Sequence, residues 1–492
     1  MKMYFSLSIV RKLCFSLNIS RNFATECNPY SVLKILSRKP VDENVKIMGW
    51  VKSQRKQRGL NFLHIDDGST LNMLQVVVPK NVCSQTIAYH ACVCVEGRVV
   101  KSPKEKQDIE LVADKLEVIS PGAPEDYPFT AKGIYLEEDV RLMPHFRPRT
   151  KNFAALLRAR SKEDPNIAIR KYFENENFIN IDTPILTTND CEGGCETFTV
   201  RGGGDIFAYD NETEVHEGAF GQDVYLSVSG QLHLEAMASG MSKVYNFNPA
   251  FRGEIGSRFH LHEFWMVEME EAFLEKREGF EFLMNRLENL VKFTMDDVMR
   301  HDPEDLEYLW NFHKKEKLKT LIPEILEKPF VRLKHKEAQK ILNENKDKIA
   351  NFPVGNSSSK INKETEIFLT KYFGNLPVFL TDWPAQSKPF YMYTINDDDE
   401  NEVALGMDLL LPFVGEVAGG SLREHRFSKL KKKIKTAEEE EKLKWYLDIR
   451  KFGYAPSGGF GLGFERFLQF FFGISNINDT IPFPRTKGRC LC

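Results

Sequence analysis

The sequence predicts an α+β protein with two unlike parts, a small N-terminal β-barrel and a larger domain in which helices flank an antiparallel sheet. Three observations support this prediction. The chain has 492 residues, too many for one hydrophobic core. Its early part consists of short apolar or alternating runs separated by turns. From residue 152 onward, long helical patterns mix with neighbouring strand-like runs, which is typical of α+β domains.

The composition is that of an ordinary globular protein and limits the classes of function. Hydrophobic residues make up 42% of the chain and charged residues 28%. No apolar run reaches the roughly 18–20 residues of a membrane helix, so we expect no membrane partner. The formal net charge is −3, so a nucleic-acid-binding surface would have to concentrate positive charge locally.

Residues 1–25 have the composition of a mitochondrial transit peptide. They include Lys2, Arg11, Lys12 and Arg21 but no acidic residue, and serines alternate with Phe, Leu and Ile. Such an amphipathic, acid-poor segment is typical of import into mitochondria. A secretory signal fits less well, because Arg11 and Lys12 interrupt the apolar stretch. We therefore expect cleavage shortly after Arg21 and a mature protein in the mitochondrial matrix.

Residues 40–120 are predicted to form an OB-fold barrel, because five short strands in roughly 75 residues fit that fold. The predicted strands are Val45–Val51, Leu60–Ile65, Met73–Val78, Ala91–Val100 and Ile109–Val118. Such barrels commonly bind single-stranded nucleic acid through basic and aromatic side chains. Arg55, Phe62 and Gln75 could supply a cation, a stacking platform and an amide for a base edge. In the alternative interpretation, Phe62 is core and the basic residues form a solvated rim; this segment alone leaves both open.

Residues 121–150 are predicted as a linker, since Pro121, Pro124 and Pro128 interrupt the strand pattern. Residues 151–492 follow as the α+β domain, beginning with a helical stretch around Lys151–Glu174. One helical face is predicted from Leu283, Leu287, Leu290 and Val291. The predicted strands are Asp223–Val228, Lys243–Asn248, Phe264–Ala272 and Val403–Leu411.

Three segments of the second domain contain residues suited to chemistry on ATP. They are FINIDTPIL (178–186), FRGE with the following HLHEFWMVEMEEAF (251–273), and GGFGLGFERFLQFF (458–471). Activating a carboxylic acid with ATP needs cations around the polyphosphate and a metal ion for the pyrophosphate. Arg252 and Arg466 provide planar guanidinium groups that match phosphate oxygens. Each segment alone could be an ordinary ion pair or turn, but the three in this order form a strong joint signal.

Longer stretches are more specific, namely VYLSVSGQLHLEAMASGMSKVYNFNPAFRGE (224–254), KPFYM (388–392), GEVAGGSLREHR (415–426), WYLDIRKFG (445–453) and NDTIPFPR (478–485). Through them the chain resembles the asparaginyl-tRNA synthetases, class II enzymes of subgroup IIb, from about Val45 to Cys492. The resemblance implies a class II catalytic domain with the three segments above as motifs 1, 2 and 3. It also implies asparagine and tRNA(Asn) as substrates, ATP and Mg²⁺ as cofactors, and a homodimer with Pro184 at its contact.

The resemblance further implies roles for individual residues. Arg252, Glu254 and Arg466 would be the catalytic residues, with Arg252 bridging the α-phosphate and the substrate carboxylate. The amino acid would contact Glu192, Gln231, Arg252 and Arg423. ATP would contact Arg252, Glu254, Arg258, His260, Glu416, Gly463, Phe464, Glu465 and Arg466. Glu416, helped by Asp408, would bind Mg²⁺, and Phe62, Gln75 and Arg55 would bind the anticodon.

The choice of asparagine over aspartate depends on one position. Similar aspartate enzymes carry Ser-Pro-Gln-x-x-Lys where this chain reads Ser229-Gly230-Gln231 followed by Leu234 in place of the lysine. Burying the charge of aspartate with one cation fewer would cost several kcal/mol. Arg423 can donate to the amide oxygen, while the amide NH₂ needs an acceptor, for which a glutamate of the motif 2 strand is the candidate.

The chain departs from the family pattern at several positions. Phe259 stands where an arginine usually precedes the histidine, which leaves Arg258 one place upstream. Ser457 replaces a common histidine and Tyr393 a common arginine. Two alternatives to an asparagine enzyme are an aspartyl-tRNA synthetase, with or without strict discrimination, and an RNA-binding paralogue without catalysis. The retained arginines and glutamates argue against the second, and Leu234 argues against the first.

Overall fold

The computed structural model describes most of the chain beyond residue 29. The described residues are 30–57, 59–83, 86–105, 107–122, 127–129, 137–161, 165–188, 197–201, 206–210, 213–217, 220–253, 257–301, 303–353, 361–395 and 402–492. The transit peptide expected at residues 1–25, Glu192 and Glu254 lie outside them. The chain divides into two units, Met1–Tyr135 and Leu136–Cys492.

The first unit is a closed barrel in which the strands follow the order β1-β2-β3-β5-β4. Its elements are α1 (Val32–Arg38), β1 (Asn44–Gln57), β2 (Leu60–Asp66), β3 (Leu74–Pro79), β4 (Cys92–Lys101) and β5 (Ile109–Ser120). Each predicted strand overlaps one of these five. Ile47, Leu63 and Val95 are fully buried in the barrel core. The alternation of inward apolar and outward polar side chains therefore explains why this segment forms a barrel.

The second unit contains thirteen α-helices and fourteen strands within the described residues. The helices are α2 (Glu137–Arg141), α3 (Lys151–Ser161), α4 (Pro165–Asn175), α5 (Gln231–Met241), α6 (Lys276–His301), α7 (Pro303–Phe312), α8 (Leu318–Glu327), α9 (His335–Glu344), α10 (Lys363–Tyr372), α11 (Phe427–Lys433), α12 (Ala437–Lys442), α13 (Lys444–Lys451) and α14 (Phe464–Phe471). The strands are β6 (Ile179–Asn180), β7 (Leu186–Thr187), β8 (Thr199–Val200), β9 (Ile206–Asp210), β10 (Thr213–Glu217), β11 (Val224–Leu226), β12 (Lys243–Phe251), β13 (Glu263–Ala272), β14 (Val331–Lys334), β15 (Val378–Pro384), β16 (Thr394–Ile395), β17 (Val403–Leu411), β18 (Gly415–Leu422) and β19 (Ser457–Gly463).

A nine-stranded sheet organises this unit, in the order β14-β15-β17-β18-β19-β13-β12-β6, with β16 paired to β17. Its central pairs are antiparallel, as predicted. The outer pairs β6–β12 and β14–β15 are parallel, which the prediction did not include. Parallel neighbours need a long crossover between them, and the intervening helices provide it.

Two local predictions differ from the structure. The helical stretch predicted around Lys151–Glu174 is two helices, α3 and α4, and α4 begins at Pro165. Proline has no N–H to donate and is favoured at the first position of a helix, which explains the division. The strand predicted at Asp223–Val228 is the short β11, which belongs to a separate sheet with the order β7-β11-β8.

Long helices cover the sheet with apolar faces. The 26-residue α6 buries Leu283, Leu287, Leu290 and Val291, so the face predicted from helical periodicity is confirmed. Helix α14 follows β19 directly and buries nearly all of its side chains. None of the described helices is long and apolar enough to span a lipid bilayer.

Candidate active site

A cavity of about 500 Å³ lies against strands β13, β18 and β19 of the second unit, with residues of α5 and α14 in its wall. Nine residues expected to bind substrates line it: Gln231, Arg252, His260, Asp408, Glu416, Arg423, Gly463, Glu465 and Arg466. These positions are up to about 235 residues apart in sequence, and the antiparallel pairing of the three strands brings them together.

Two residues expected at the nucleotide do not line the cavity. The Arg258 side chain is exposed, and its guanidinium carbon lies 4.8 Å from the ring centre of its neighbour Phe259. The Phe464 side chain is buried and packs edge-on against Phe247, with ring centres 4.9 Å apart.

One end of the cavity contains a buried carboxylate, Glu268 on β13, that accepts several hydrogen bonds. Its Oε2 accepts from the Gly230 backbone N–H at 2.8 Å and from Asn246 Nδ2 at 3.0 Å. The Ser229 hydroxyl donates to Oε1. Leu234, which replaces the lysine of the aspartate enzymes, is buried in the same wall. This end therefore offers an acceptor and an apolar side chain where a carboxylate-binding site would offer a cation.

Gly230 makes this arrangement possible in two ways. A Cβ atom at this position would collide with Asn246 Nδ2 and Thr183 Oγ1 and would lie 3.0 Å from Glu268 Oε2. The proline that aspartate enzymes carry here has no N–H and could not donate to Glu268. The Ser-Gly-Gln sequence thus orients Glu268 through a backbone donor.

Arg423, at the end of β18, is the cation at this end of the cavity. It is only 3% exposed, and it donates to both carboxylate oxygens of Glu270 and, at 2.9 Å, to Ser421 Oγ. Burial alone would lower the pKa of Arg423, but Glu270 and Glu235 together raise it above its usual value. The guanidinium is therefore permanently charged and held in one orientation.

The opposite end of the cavity is formed by residues of motifs 2 and 3. Arg466 donates from NH1 to the Glu416 backbone carbonyl at 2.7 Å and from NH2 to the Phe259 carbonyl at 3.1 Å. The Arg252 backbone N–H donates to the His262 carbonyl, and the Arg252 carbonyl accepts from His262 Nδ1. The Arg252 guanidinium carbon lies 5.6 Å from the Phe264 ring centre. These contacts hold two guanidinium groups beside one cavity, as polyphosphate binding requires.

Glu465 has a structural role in addition to lining the cavity. Its side chain is almost fully buried; Oε1 accepts from Arg160 NH2 at 2.8 Å and Oε2 from the Trp265 N–H at 2.8 Å. Burial raises the pKa of Glu465. Both oxygens are thus used to join α3 and β13 to α14.

Asp408 and Glu416 are two acidic residues on the neighbouring strands β17 and β18. A Cβ atom on Gly419 would lie 3.6 Å from Asp408 Oδ1 and 3.7 Å from Glu416 Oε1, so both carboxylates border the same space. Burial raises the pKa of Asp408 to about 7; Glu416 adds to this shift, and Lys388, which donates to Asp408 at 2.7 Å, opposes it.

This pair fits a divalent cation that is shared with a substrate. Mg²⁺ is usually held by one or two carboxylates together with phosphate oxygens and water. A cation would also relieve the repulsion between Asp408 and Glu416. Within the described ranges, no group of three or more His, Cys, Asp or Glu side chains is placed to hold a metal ion.

The barrel presents a separate polar and aromatic face. Phe62 is half-buried, and the Arg55 guanidinium carbon lies 5.2 Å from its ring centre. On the adjacent strand Gln75 donates to Glu110 Oε2 at 2.8 Å, while His64 stands opposite Gln75 in the strand pairing. Phe62, Gln75 and Arg55 therefore share one outer face, and a stacking platform lies beside hydrogen-bonding groups.

Sequence reasoning had not singled out several of the buried polar residues. An acceptor for the substrate amide was expected on the motif 2 strand but not assigned, and Glu268 is the glutamate of β13 that lines the cavity. The pairing of β13 with β19 puts Gly461 opposite Glu268 and Gly459 opposite Glu270. Two glutamates at alternate positions, matched by alternate glycines on another strand, are the signal that could have indicated them.

Two family models match the chain. The model described as tRNA synthetases class II (D, K and N) matches residues 138–487, and the one described as OB-fold nucleic acid binding domain matches residues 45–119. The fold and the site therefore define a class II tRNA synthetase with an N-terminal OB-fold domain.

Individual relatives narrow the assignment. The asparaginyl-tRNA synthetase of Mus musculus is 40% identical over 450 residues, 91% of each chain. The probable mitochondrial asparagine–tRNA ligase of Dictyostelium discoideum is 37% identical over 456 residues, 92% of this chain and 94% of its own. The crystal structure of asparaginyl-tRNA synthetase from Pyrococcus horikoshii complexed with asparaginyl-adenylate matches with a TM-score of 0.79 and 28% identity, covering 94% of this chain and 99% of that one. The chain belongs to the asparaginyl-tRNA synthetase family, and it is an aminoacyl-tRNA ligase.

Proposed function

We propose that this chain activates asparagine with ATP and transfers it to tRNA(Asn) for protein synthesis in the mitochondrial matrix. The observation that supports this most directly is the cavity with two different ends. One end combines Arg423 with the acceptor Glu268, and the other combines Arg252 and Arg466 with the carboxylates of Asp408 and Glu416. The first end suits a neutral amide and the second suits a polyphosphate.

The reaction has two steps. The carboxylate of asparagine attacks the α-phosphate of ATP, which gives asparaginyl-adenylate and releases pyrophosphate. The terminal ribose hydroxyl of the tRNA then attacks the asparaginyl carbonyl, and AMP leaves. Arg252 neutralises charge at the α-phosphate, and Arg466 does so towards the pyrophosphate. Asp408 and Glu416 would hold Mg²⁺, which supplies further positive charge to the leaving group.

Asparagine is selected by a hydrogen bond to Glu268 that aspartate cannot make. Arg423 donates to the amide oxygen, and Glu268 accepts from the amide NH₂. The backbone N–H of Gly230 holds Glu268 in position. An aspartate side chain would place its charge against Glu268, with Leu234 where a compensating lysine would be needed. A site built around such polar partners can reject the isostere by orders of magnitude.

The barrel face of Arg55, Phe62 and Gln75 binds the anticodon by stacking and hydrogen bonding.

The active form is a homodimer with Pro184 at the contact; exposed Ile185 and Leu186 beside it support this. Residues 1–25 direct import, in agreement with the name of the Dictyostelium relative. Fusing residues 1–25 to a fluorescent protein tests import, and a diffuse cytosolic signal would contradict it.

The test of the proposed function is ATP–pyrophosphate exchange with asparagine and aspartate measured side by side. We expect exchange with asparagine, far slower exchange with aspartate, and loss of exchange in a folded Arg252→Ala variant. Arg489→Ala is the matched control, because Arg489 is exposed and does not line the cavity. Rapid exchange with aspartate would favour the aspartyl alternative. A folded protein that activates neither amino acid would favour the catalytically inactive one.

A further inference from the structure

Behind Arg423 lies a group of six polar residues that do not line the cavity, all buried except the half-buried Tyr454: Glu235, Glu270, Tyr446, Arg450, Tyr454 and Ser457. They come from α5, β13, α13, the loop that follows α13, and β19. We call Glu235 and Glu270 the carboxylate pair. Buried charges are costly unless they have partners, so their arrangement needs an explanation.

Glu270 holds the guanidinium of Arg423 from one side. Arg423 donates to it from Nε at 3.1 Å and from NH2 at 2.8 Å, and the Ser457 hydroxyl donates at 2.7 Å. A Cβ atom on Gly459 would collide with Glu270 Oε2 and lie 2.7 Å from Arg423 NH2. The glycine opposite Glu270 is therefore needed for the ion pair to form.

Glu235 approaches the same guanidinium from α5. Its Oε1 lies 3.7 Å from Arg423 Nε and accepts from Gln231 Nε2 at 3.0 Å. Its Oε2 accepts from Arg450 and, at 2.6 Å, from the Tyr446 hydroxyl. Glu235 therefore joins Arg423 to Gln231, two of the residues in the cavity wall.

Ser457 connects Glu270 to Tyr454 and, through Tyr454, to Glu235. Its Oγ is 2.7 Å from the Tyr454 hydroxyl, which in turn lies 3.4 Å from Glu235 Oε2. Ser457 occupies the position where the resemblance leads one to expect histidine. A serine can bond Glu270 and Tyr454 together without adding a titratable group.

The balance of charge decides what Arg423 can offer to a ligand. Arg423 and Arg450 face the carboxylate pair, so the positive charge of Arg423 is already compensated before a substrate enters. Such a guanidinium can still donate a hydrogen bond to an amide oxygen. A second carboxylate entering the cavity would find a donor but little net positive charge.

We propose that Glu235 and Glu270 are positioning residues that fix the Arg423 guanidinium and cancel its charge, and that this cancellation makes the site prefer a neutral amide to a carboxylate. This inference rests on the proposed function, because it concerns the choice between asparagine and aspartate at the same site. It goes further by assigning specificity to residues that do not touch the substrate.

The first test compares Glu270→Gln with Ser421→Ala in the full chain, by exchange with each amino acid. Both variants remove a contact to Arg423, but only Glu270→Gln removes a charge. We expect the asparagine-to-aspartate ratio of kcat/KM to fall at least about tenfold in Glu270→Gln, since an uncompensated guanidinium attracts a second carboxylate. In Ser421→Ala the KM for asparagine rises while the ratio stays within about twofold.

A second test uses the wild-type enzyme and pH. Burial raises the pKa of Glu270 to about 7, Glu235 adds to this shift, and Arg423 opposes it. Arg450 and Arg423 hold the pKa of Glu235 below its usual value against the effect of burial, so Glu235 stays charged. Burial raises the pKa values of Tyr446 and Tyr454, so both stay protonated.

Glu270 therefore changes charge near neutral pH, whereas the titratable groups that face it from α5, α13, β18 and β19 keep their charge. Protonated Glu270 at low pH leaves Arg423 less compensated, and ionised Glu270 at high pH compensates it more fully. The asparagine-to-aspartate ratio should therefore rise between pH 6 and pH 8 in the wild type and stay flat in Glu270→Gln. Effects of pH on ATP or metal binding cancel in this ratio.

The outcomes are distinguishable. An unchanged ratio in an active Glu270→Gln variant, or a flat wild-type ratio from pH 6 to pH 8, would overturn the inference and leave the proposed function intact. A wild-type enzyme that does not activate asparagine would overturn the proposed function instead. If Glu270→Gln does not fold, the wild-type pH dependence alone decides.

Discussion

At the scale of single residues, the proposed choice between asparagine and aspartate, two ligands of nearly the same shape, depends on the placement of donors and charges. Glu268 and Arg423 are both buried, and each is fixed by partners from other strands and helices. Leu234 replaces a cation with an apolar side chain. Because desolvated charges interact strongly, one missing cation outweighs the small difference in size between aspartate and asparagine.

The first prediction concerns Glu268→Gln. A glutamine would turn one of the two oxygens into a donor that faces the donors Gly230 N–H, Asn246 Nδ2 or Ser229 Oγ. We expect kcat/KM for asparagine to fall by a factor of roughly 30–150, which corresponds to a loss of about 2–3 kcal/mol in transition-state stabilisation. Pyrophosphate exchange at varied asparagine measures this, and the KM for ATP serves as the internal control. Unaltered exchange would remove Glu268 from the amide site.

At the scale of elements, the second unit is held together by contacts between its first and last segments. Arg147 lies in the 3-10 helix Pro144–Arg149 and is 1% exposed. It donates to the carbonyls of Asn478 and Ile481 and, at 3.0 Å, to the carboxylate of Asp479. Its guanidinium carbon also lies 3.7 Å from the Phe153 ring centre. Ile477, just before these residues, lines the cavity, so this joint supports the site.

Arg147→Ala should therefore destabilise the second unit. Removing one partner of a buried ion pair leaves acceptors without donors and costs about 3–5 kcal/mol. Urea denaturation of the full chain would show the loss as a lower midpoint. Arg149→Ala is the control, since Arg149 is exposed and contacts the ring of Phe146, so it should change stability by less than about 1 kcal/mol. Equal effects of the two substitutions would contradict this prediction.

The barrel strands give a prediction about tRNA alone. In Phe62→Ala we expect kcat/KM for tRNA charging to fall. The expected loss in transition-state stabilisation is about 1–3 kcal/mol, the usual contribution of stacking on one base. Pyrophosphate exchange should be unchanged, because the adenylate forms in the second unit. Met48→Ala is the control: Met48 is 40% exposed on β1 but pairs with β4 instead of β2. Equal losses in charging and exchange would argue against an anticodon role for Phe62.

At the scale of the whole molecule, the two units divide the work between nucleic-acid recognition and chemistry. The barrel has its own core, and the second unit has the nine-stranded sheet and the cavity. The formal charge of −3 does not prevent binding to tRNA, because the basic and aromatic groups are grouped locally.

Assembly is tested at the same scale. Pro184, Ile185 and Leu186 are exposed in succession within motif 1, and an exposed apolar run of this kind suits a contact between two copies. Light scattering should give twice the mass of one chain for the wild type and a single-chain mass for Ile185→Glu. Tyr372→Glu on α10, also an exposed position, should remain a dimer. A monomeric wild type would contradict the proposed homodimer.

The sequence by itself was sufficient for features that depend on local periodicity. Alternation in β1 to β5 predicted the barrel, and the spacing of Leu283, Leu287 and Leu290 predicted the buried face of α6. Arg252 and Arg466 were indicated by motifs and Arg423 by the family resemblance, and all three line the cavity. These features could be predicted because burial of one face imposes a repeat of two or 3.6 residues on any strand or helix.

Only the tertiary structure decided which buried polar groups meet. Glu270 lies 153 residues from Arg423, Glu235 lies 215 from Arg450, and Arg147 lies 332 from Asp479. The parallel edges of the sheet and the exposed position of Arg258 were likewise absent from the pattern. Strand register and ion pairing depend on which distant segments pack together, and a local repeat specifies that a side chain is buried without specifying its partner.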